Sequence, residues 1–170
     1  MKLSQLLLSC FLVLFITACG YKPSSYYAKE ELKGKIFVNL LIDLEDPRNA
    51  ALIKDAMNEI IVHRLDSKIV YDRALADTIM DVQLKSVSMT VLQDDENGYN
   101  KLYKATANIY VKYKNKKGSN SFNVSGDYDF SIDDDSSITD TKRFEAIKNA
   151  SSEALEEVIS KIAINSFKKK

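Results

Sequence analysis

The stretch TIMDVQLKSVSMTVLQDDENGYNKLYKATANIYVKYKNKKGSNSFNVSGDYDFSI, Thr78 to Ile132, decides the fold. Met80, Val82 and Leu84 alternate with polar neighbours, then Val87, Met89 and Val91 alternate in the opposite phase. Period-two alternation is the mark of a half-buried strand. The change of phase near Ser86 predicts a β-bulge inside one long strand, Thr78 to Leu92. Asn97-Gly98, within QDDENGYN, supplies the positive φ angles of a tight hairpin. The returning strand, Leu102 to Tyr113, puts Tyr103, Ala105, Ala107, Ile109, Val111 and Tyr113 on one face and Lys104, Thr106, Asn108, Tyr110 and Lys112 on the other. Lys114 to Asn120 reads as a second hairpin loop. Ser121 to Ile132 follows, with Phe122, Val124, Tyr128, Phe130 and Ile132 inward and Ser121, Asn123, Ser125, Asp127, Asp129 and Ser131 outward. This is an antiparallel meander with one wet face.

The flanks supply its partners. Upstream, Ile36, Val38, Leu40, Ile42 and Leu44 make Lys35 to Leu44 a strand, with Phe37 and Leu41 adding apolar character to its other side. Asp46-Pro47 opens a helix, because Asp caps well and Pro is tolerated at the first helical position. Leu52, Ile53, Ala56, Met57, Ile60, Ile61 and Leu65 form its apolar stripe, and it ends near Asp66. Lys68 to Tyr71 is a short extended piece and Asp72 to Asp77 a connection. Downstream, Asp133 to Ser137 breaks the pattern. Asp140 or Thr141 then caps a last helix with Phe144, Ile147, Ser151, Ala154, Leu155, Val158, Ile159 and Ile162 on one stripe, ahead of a basic tail, Phe167 to Lys170. The order β-α-β-β-β-α predicts an α+β two-layer sandwich: two helices on one face of a four-stranded mixed sheet, with a right-handed first crossover.

The chain starts MKLSQLLLSCFLVLFITACG. Lys2, the apolar run Leu6 to Ile16 and the small residues before Cys19 have the layout of a secretory signal. The run is too short to span a bilayer, which takes about 20 apolar residues. The small-small-Cys ending resembles the bacterial lipobox, where cleavage precedes an acylated cysteine. The expected division is a signal peptide over 1–18, a lipidated tether over 19–33 and one domain over 34–167. Acyl chains on the thiol and on the new amine supply the two anchoring signals that stable attachment needs. By resemblance to Gram-negative lipoproteins, Gly20 in place of Asp points to the outer membrane, periplasmic face. Tyr26-Tyr27 in the tether fits either packing on the domain or lying at the membrane interface.

Composition narrows the function. The chain has 24 basic and 24 acidic residues, without the basic excess of a general nucleic-acid binder. Cys10 falls in the segment that is removed and Cys19 is consumed by lipid, which leaves no thiol for redox or zinc chemistry. His63 is the one histidine, on the polar side of its helix with no triad partner in sequence. Asp133-Asp134-Asp135 and Asp94-Asp95-Glu96 lack the spaced ligands of a calcium loop and read as solvated turns. Five glycines form no phosphate loop. No cofactor and no metal are expected, and the domain reads as a binder or scaffold, not an enzyme. Its most distinctive feature is the second hairpin, where Lys112, Lys114, Lys116 and Lys117 crowd the tip beside Tyr110 and Tyr113. Lysines there suit either phosphate groups or plain solubility.

Cys19-Gly20-Tyr21, the element order, and the stretches FVNLLIDLEDPRNAALIKDAMNE (37–59) and RFEAIKNASSEALEEVISKI (143–162) together resemble the LptE-type lipopolysaccharide-assembly lipoproteins, as divergent, Campylobacter-like members. The resemblance covers nearly the whole chain and rests on layout, since the family has no catalytic motif. It implies an outer-membrane lipoprotein that plugs and helps assemble a β-barrel translocon and binds lipopolysaccharide on its way to the outer leaflet. The partners implied are the barrel, lipopolysaccharide and the membrane through Cys19. The lysine hairpin is the candidate lipopolysaccharide contact. A different class of protein fits the same tether and domain: a lipoprotein that activates or scaffolds a periplasmic cell-wall enzyme.

Overall fold

A computed structural model describes residues 23–41, 47–65, 67–94, 100–132 and 137–167. The elements in chain order are α1 (Ser24–Glu31), β1 (Lys35–Leu40), α2 (Pro47–Arg64), β2 (Lys68–Ile69), a 3₁₀ turn (Arg73–Leu75), β3 (Thr78–Asp94), β4 (Asn100–Asn115), β5 (Gly118–Ser131) and α3 (Asp140–Phe167). The strands form one mixed sheet in the order β2-β1-β3-β4-β5. β1 runs parallel to both β2 and β3, and β3, β4 and β5 form the antiparallel meander.

Two expectations are corrected. The sheet has five strands, because the piece at Lys68 pairs with Lys35 and Ile69 with Ile36 at the sheet edge. There are three helices, because the expected tether folds into α1. Its Ala28 and Leu32 are fully buried in the main core with Ile36, Ile61, Tyr113, Leu155 and Ile162. An eight-residue helix does not hold itself in water, and this one is stabilised by docking. The second hairpin is also tighter than its lysine-rich sequence suggests. Pairing continues to Asn115↔Gly118, leaving a two-residue turn at Lys116-Lys117. Asn115 Oδ1 accepts from the Lys117 amide at 2.9 Å, and Gly118 takes φ 132°, a conformation that favours glycine.

The bulge is where the phase change puts it. Leu84 pairs with Ile109 and Ser86 with Asn108, which leaves Lys85 as the extra residue. The two faces of the meander divide as the alternation requires, with Ala105, Ala107, Ile109, Val111, Tyr113, Val124 and Phe130 buried.

The long helix α3 crosses this face closely. Ala146, Ala150 and Ala154 recur every fourth residue, all fully buried, over Ala105 and Ala107. A Cβ at Gly126 would fall on the backbone of α3, at Ala154 N and Ala150 O. This seam of small residues lets a helix lie on a sheet with almost no side chain between them. Phe144, expected on the buried stripe, is 38 % exposed at the start of α3, because Ala146 and Ile147 take the inner positions there.

Candidate binding surface

The helices pack on one face of the sheet, so the other face of β3, β4 and β5 carries polar side chains that bond mainly to each other. Asn39 Nδ2 donates to Asp81 Oδ1 at 2.7 Å across β1 and β3. Asn108 Nδ2 donates to Ser86 Oγ at 3.1 Å, and Thr106 Oγ1 to Asp127 Oδ1 at 2.7 Å. Lys104 Nζ lies 3.7 Å from Asp127 and 3.9 Å from Asp129. The Lys85 ammonium stands 5.3 Å from the ring centre of Tyr110. This face is polar, with one lysine, Lys104, between two carboxylates and with Lys85, Lys112 and Lys114 exposed.

At one end of the sheet lies a second polar arrangement that the sequence does not announce. Glu31, the last residue of α1, keeps only 4 % of its side chain exposed, yet it is a carboxylate. Lys117 Nζ sits 3.3 Å from Glu31 Oε2 and donates to the Glu30 carbonyl at 2.6 Å. The Tyr113 hydroxyl is hydrogen-bonded to Glu31 and accepts from Asn120 Nδ2 at 2.9 Å. Asn115 Nδ2 donates to the Glu31 carbonyl at 2.9 Å, and Ser67 Oγ to the Leu32 carbonyl at 3.1 Å. Burial, and secondarily the Glu31 charge, push the Tyr113 hydroxyl up to about 12. It therefore stays protonated and able to donate at any ordinary pH. Together these groups latch α1 to the β4–β5 turn.

The four lysines singled out in sequence thus divide. Lys117 is committed to the latch. Lys112 and Lys114, paired across from Asp81 and Ile79, stand exposed on the open face, and Lys116 is exposed in the turn. His63 is exposed on α2. Cys19 and the acidic run Asp133 to Asp135 lie outside the described residues. Tyr27 is half-buried and Tyr26 is 42 % exposed, the two rings edge-on at 5.4 Å. Among the described residues, no helix is long and apolar enough to cross a membrane.

Solved structures share this α+β fold, with helices on one side of a mixed sheet. Rare lipoprotein B from Shewanella oneidensis superposes with a TM-score of 0.53 at 12 % identity, over 79 % of this chain and 97 % of that one. A protein of Caulobacter crescentus, named as a lipoprotein, superposes with a TM-score of 0.51 at 12 % identity, over 86 % and 97 %. No curated protein sequence matches significantly. The family model for lipopolysaccharide assembly, LptE, matches residues 37–162, and the chain belongs to that family. This membership supports a role in lipopolysaccharide assembly at the outer membrane, in a family of lipoproteins that are not enzymes.

Proposed function

We propose that the protein is anchored at the periplasmic face of the outer membrane through acylated Cys19, plugs and helps assemble a β-barrel lipopolysaccharide translocon, and binds lipopolysaccharide during delivery. Membership of the lipopolysaccharide-assembly family supports the pathway. The observation that carries the plug is the open sheet face. Barrel walls alternate lipid-facing apolar with lumen-facing polar residues, so an occupant of the lumen needs a polar surface. The hydrogen bonds Asn39–Asp81 and Thr106–Asp127 and the ion pairs of Lys104 with Asp127 and Asp129 make this one polar. Lys112, Lys114 and Lys116 are the candidate contacts for lipopolysaccharide phosphates, as point charges on long stems. The test is affinity capture of the lipidated protein from outer membranes. Recovery of a large β-barrel at near-equal amounts is the expected result. Recovery of a cell-wall synthase without a barrel would overturn the proposal.

A further inference from the structure

Past the bulge at Lys85, β3 has an edge that no other part of the described chain takes. β1 pairs with β3 only as far as Leu40↔Val82, and the Leu41 amide donates to the Val82 carbonyl. Up to that point the even-numbered residues of β3 turn their backbone groups toward β1, since groups of alternate residues point to opposite sides of a strand. The extra residue at Lys85 switches the parity. Beyond it Val87, Met89 and Val91 turn N–H and C=O outward, and among the described residues these groups have no backbone partner. The same residues carry an apolar row. Val87 and Met89 are half-buried against Ala105, Ala107, Ala146 and Ala150, and Val91 is 43 % exposed.

Sheets ordinarily guard an open edge with charge, proline or brevity. The two outer edges here follow that rule. β2 is two residues long and begins with Lys68. β5 has Asp127 and Asp129 at outward positions, and the Glu157 carboxylate covers its Ser125 amide at 3.5 Å. The β3 edge does not. From Ser86 to Gln93 the chain reads SVSMTVLQ, without charge, proline or glycine. Left bare, such a segment is an aggregation hazard; covered by another strand, it is an interface.

We propose that the β3 edge from Ser86 to Val91 receives an extended segment of the barrel partner as an added strand, an inference that rests on the barrel reading of this protein. Backbone hydrogen bonds give such an addition its affinity, and alternate side-chain positions its specificity. The donor is not a strand of the wall, because in a closed barrel every wall strand is already paired on both sides. It is a loop or terminal segment of the partner that reaches into the lumen. A donor of matching length spans about 20 Å. Its apolar residues fall at every second position, opposite Val87, Met89 and Val91, and its small polar residues lie beside Ser86, Ser88 and Thr90. The lysines of the open face take no part.

The test is capture of the lipidated protein from outer membranes, with three variants. Met89→Pro removes an outward N–H that the β3–β4 ladder does not use. Val91→Lys puts a guarding charge on the edge. Ser121→Pro makes the proline change on the guarded edge of β5. The first two should each lower barrel recovery several-fold and the third should not, with all three melting cooperatively like the parent. A benzophenone side chain at Thr90, photolysed in cells, should cross-link to the barrel protein at a peptide outside its wall strands. Should Met89→Pro not fold, Val91→Lys and the cross-link decide alone. Parent-level recovery with Val91→Lys would overturn the strand addition and leave the barrel reading standing. Cross-links to a wall strand, to a second copy of this chain or to no protein would do the same. Parent protein that recovers no barrel overturns the barrel reading and the added strand with it.

Discussion

Tyr113→Phe together with a pH series measures the latch. The Tyr113 hydroxyl is fully buried, accepts from Asn120 and is hydrogen-bonded to Glu31. At pH 8, deleting it strips Glu31 of one partner and leaves Asn120 Nδ2 without its acceptor, at a cost of about 1–2 kcal/mol. The urea midpoint should drop by roughly 0.5–1 M. The pH arm has a definite sign. In the unfolded chain the phenol titrates at its ordinary 10.0, and in the fold burial pushes it up to about 12. Between those values the folded state binds the proton more tightly, so stability falls as pH rises, and below pH 10 the contribution is complete. The full loss is about 2.7 kcal/mol, of which about 1.4 kcal/mol is gone by pH 11. Other tyrosines and lysines titrate in both proteins and cancel in the comparison. The stability gap between parent and Tyr113→Phe should therefore shrink from about 1–2 kcal/mol at pH 8 to near zero at pH 11. A gap that stays constant across that range would refute the placement of a buried, protonated hydroxyl at the latch.

Other perturbations probe the seam and the lysines. Gly126→Ala places a methyl on the α3 backbone and should destabilise by about 3 kcal/mol, lowering Tm by roughly 6–12 °C in a thermal melt. Ser151 is buried with its hydroxyl unpartnered among the described residues, so Ser151→Ala should raise Tm by a few degrees, about 1 kcal/mol. Changing Lys112, Lys114 and Lys116 together to Ser should weaken lipopolysaccharide capture and leave Tm unchanged, because all three are exposed. Lys117→Ser should do the reverse. It leaves the buried Glu31 without its ammonium partner and loosens α1, which would be read as faster hydrogen exchange over residues 24–32.

The meander was legible because alternation is a local signal. Eight apolar residues in Thr78 to Leu92, with one phase change, place the bulge near Ser86, and the register puts the extra residue at Lys85. Helix α1 was not legible, for a physical reason. SSYYAKEE has no apolar stripe and is too short to persist alone. What holds it is tertiary, including a carboxylate at position 31 paired with an ammonium 86 residues later. No window along the chain contains both. β2 was seen as an extended piece but not as a strand, because two residues at a sheet edge acquire that status only from β1. The four-residue spacing of Ala146, Ala150 and Ala154 was present as a clue to close packing, but only the fold puts Gly126 beneath it. The lysine hairpin was legible as a cluster, and its division into a latch lysine and free lysines was not.

That division bears on how the anchor works. A tether held only by Ala28 and Leu32 could slip along α3, since apolar contacts are tolerant of position. The Glu31 carboxylate removes that freedom. A slip of one turn would leave a charge buried without Lys117, Tyr113 or the Asn115 contact at its own carbonyl, and an orphaned buried charge costs several kcal/mol. The polar cluster therefore fixes where the chain leaves the body of the domain. With α1 docked, a lipid on Cys19, as proposed, would hang from Ser24 by five residues, about 17 Å. With α1 released, the same lipid would hang from Gly34 by roughly 50 Å of extended chain. Docking of α1 would therefore shorten the reach of such a lipid by about two thirds and hold the polar face nearer to a partner embedded in the same bilayer.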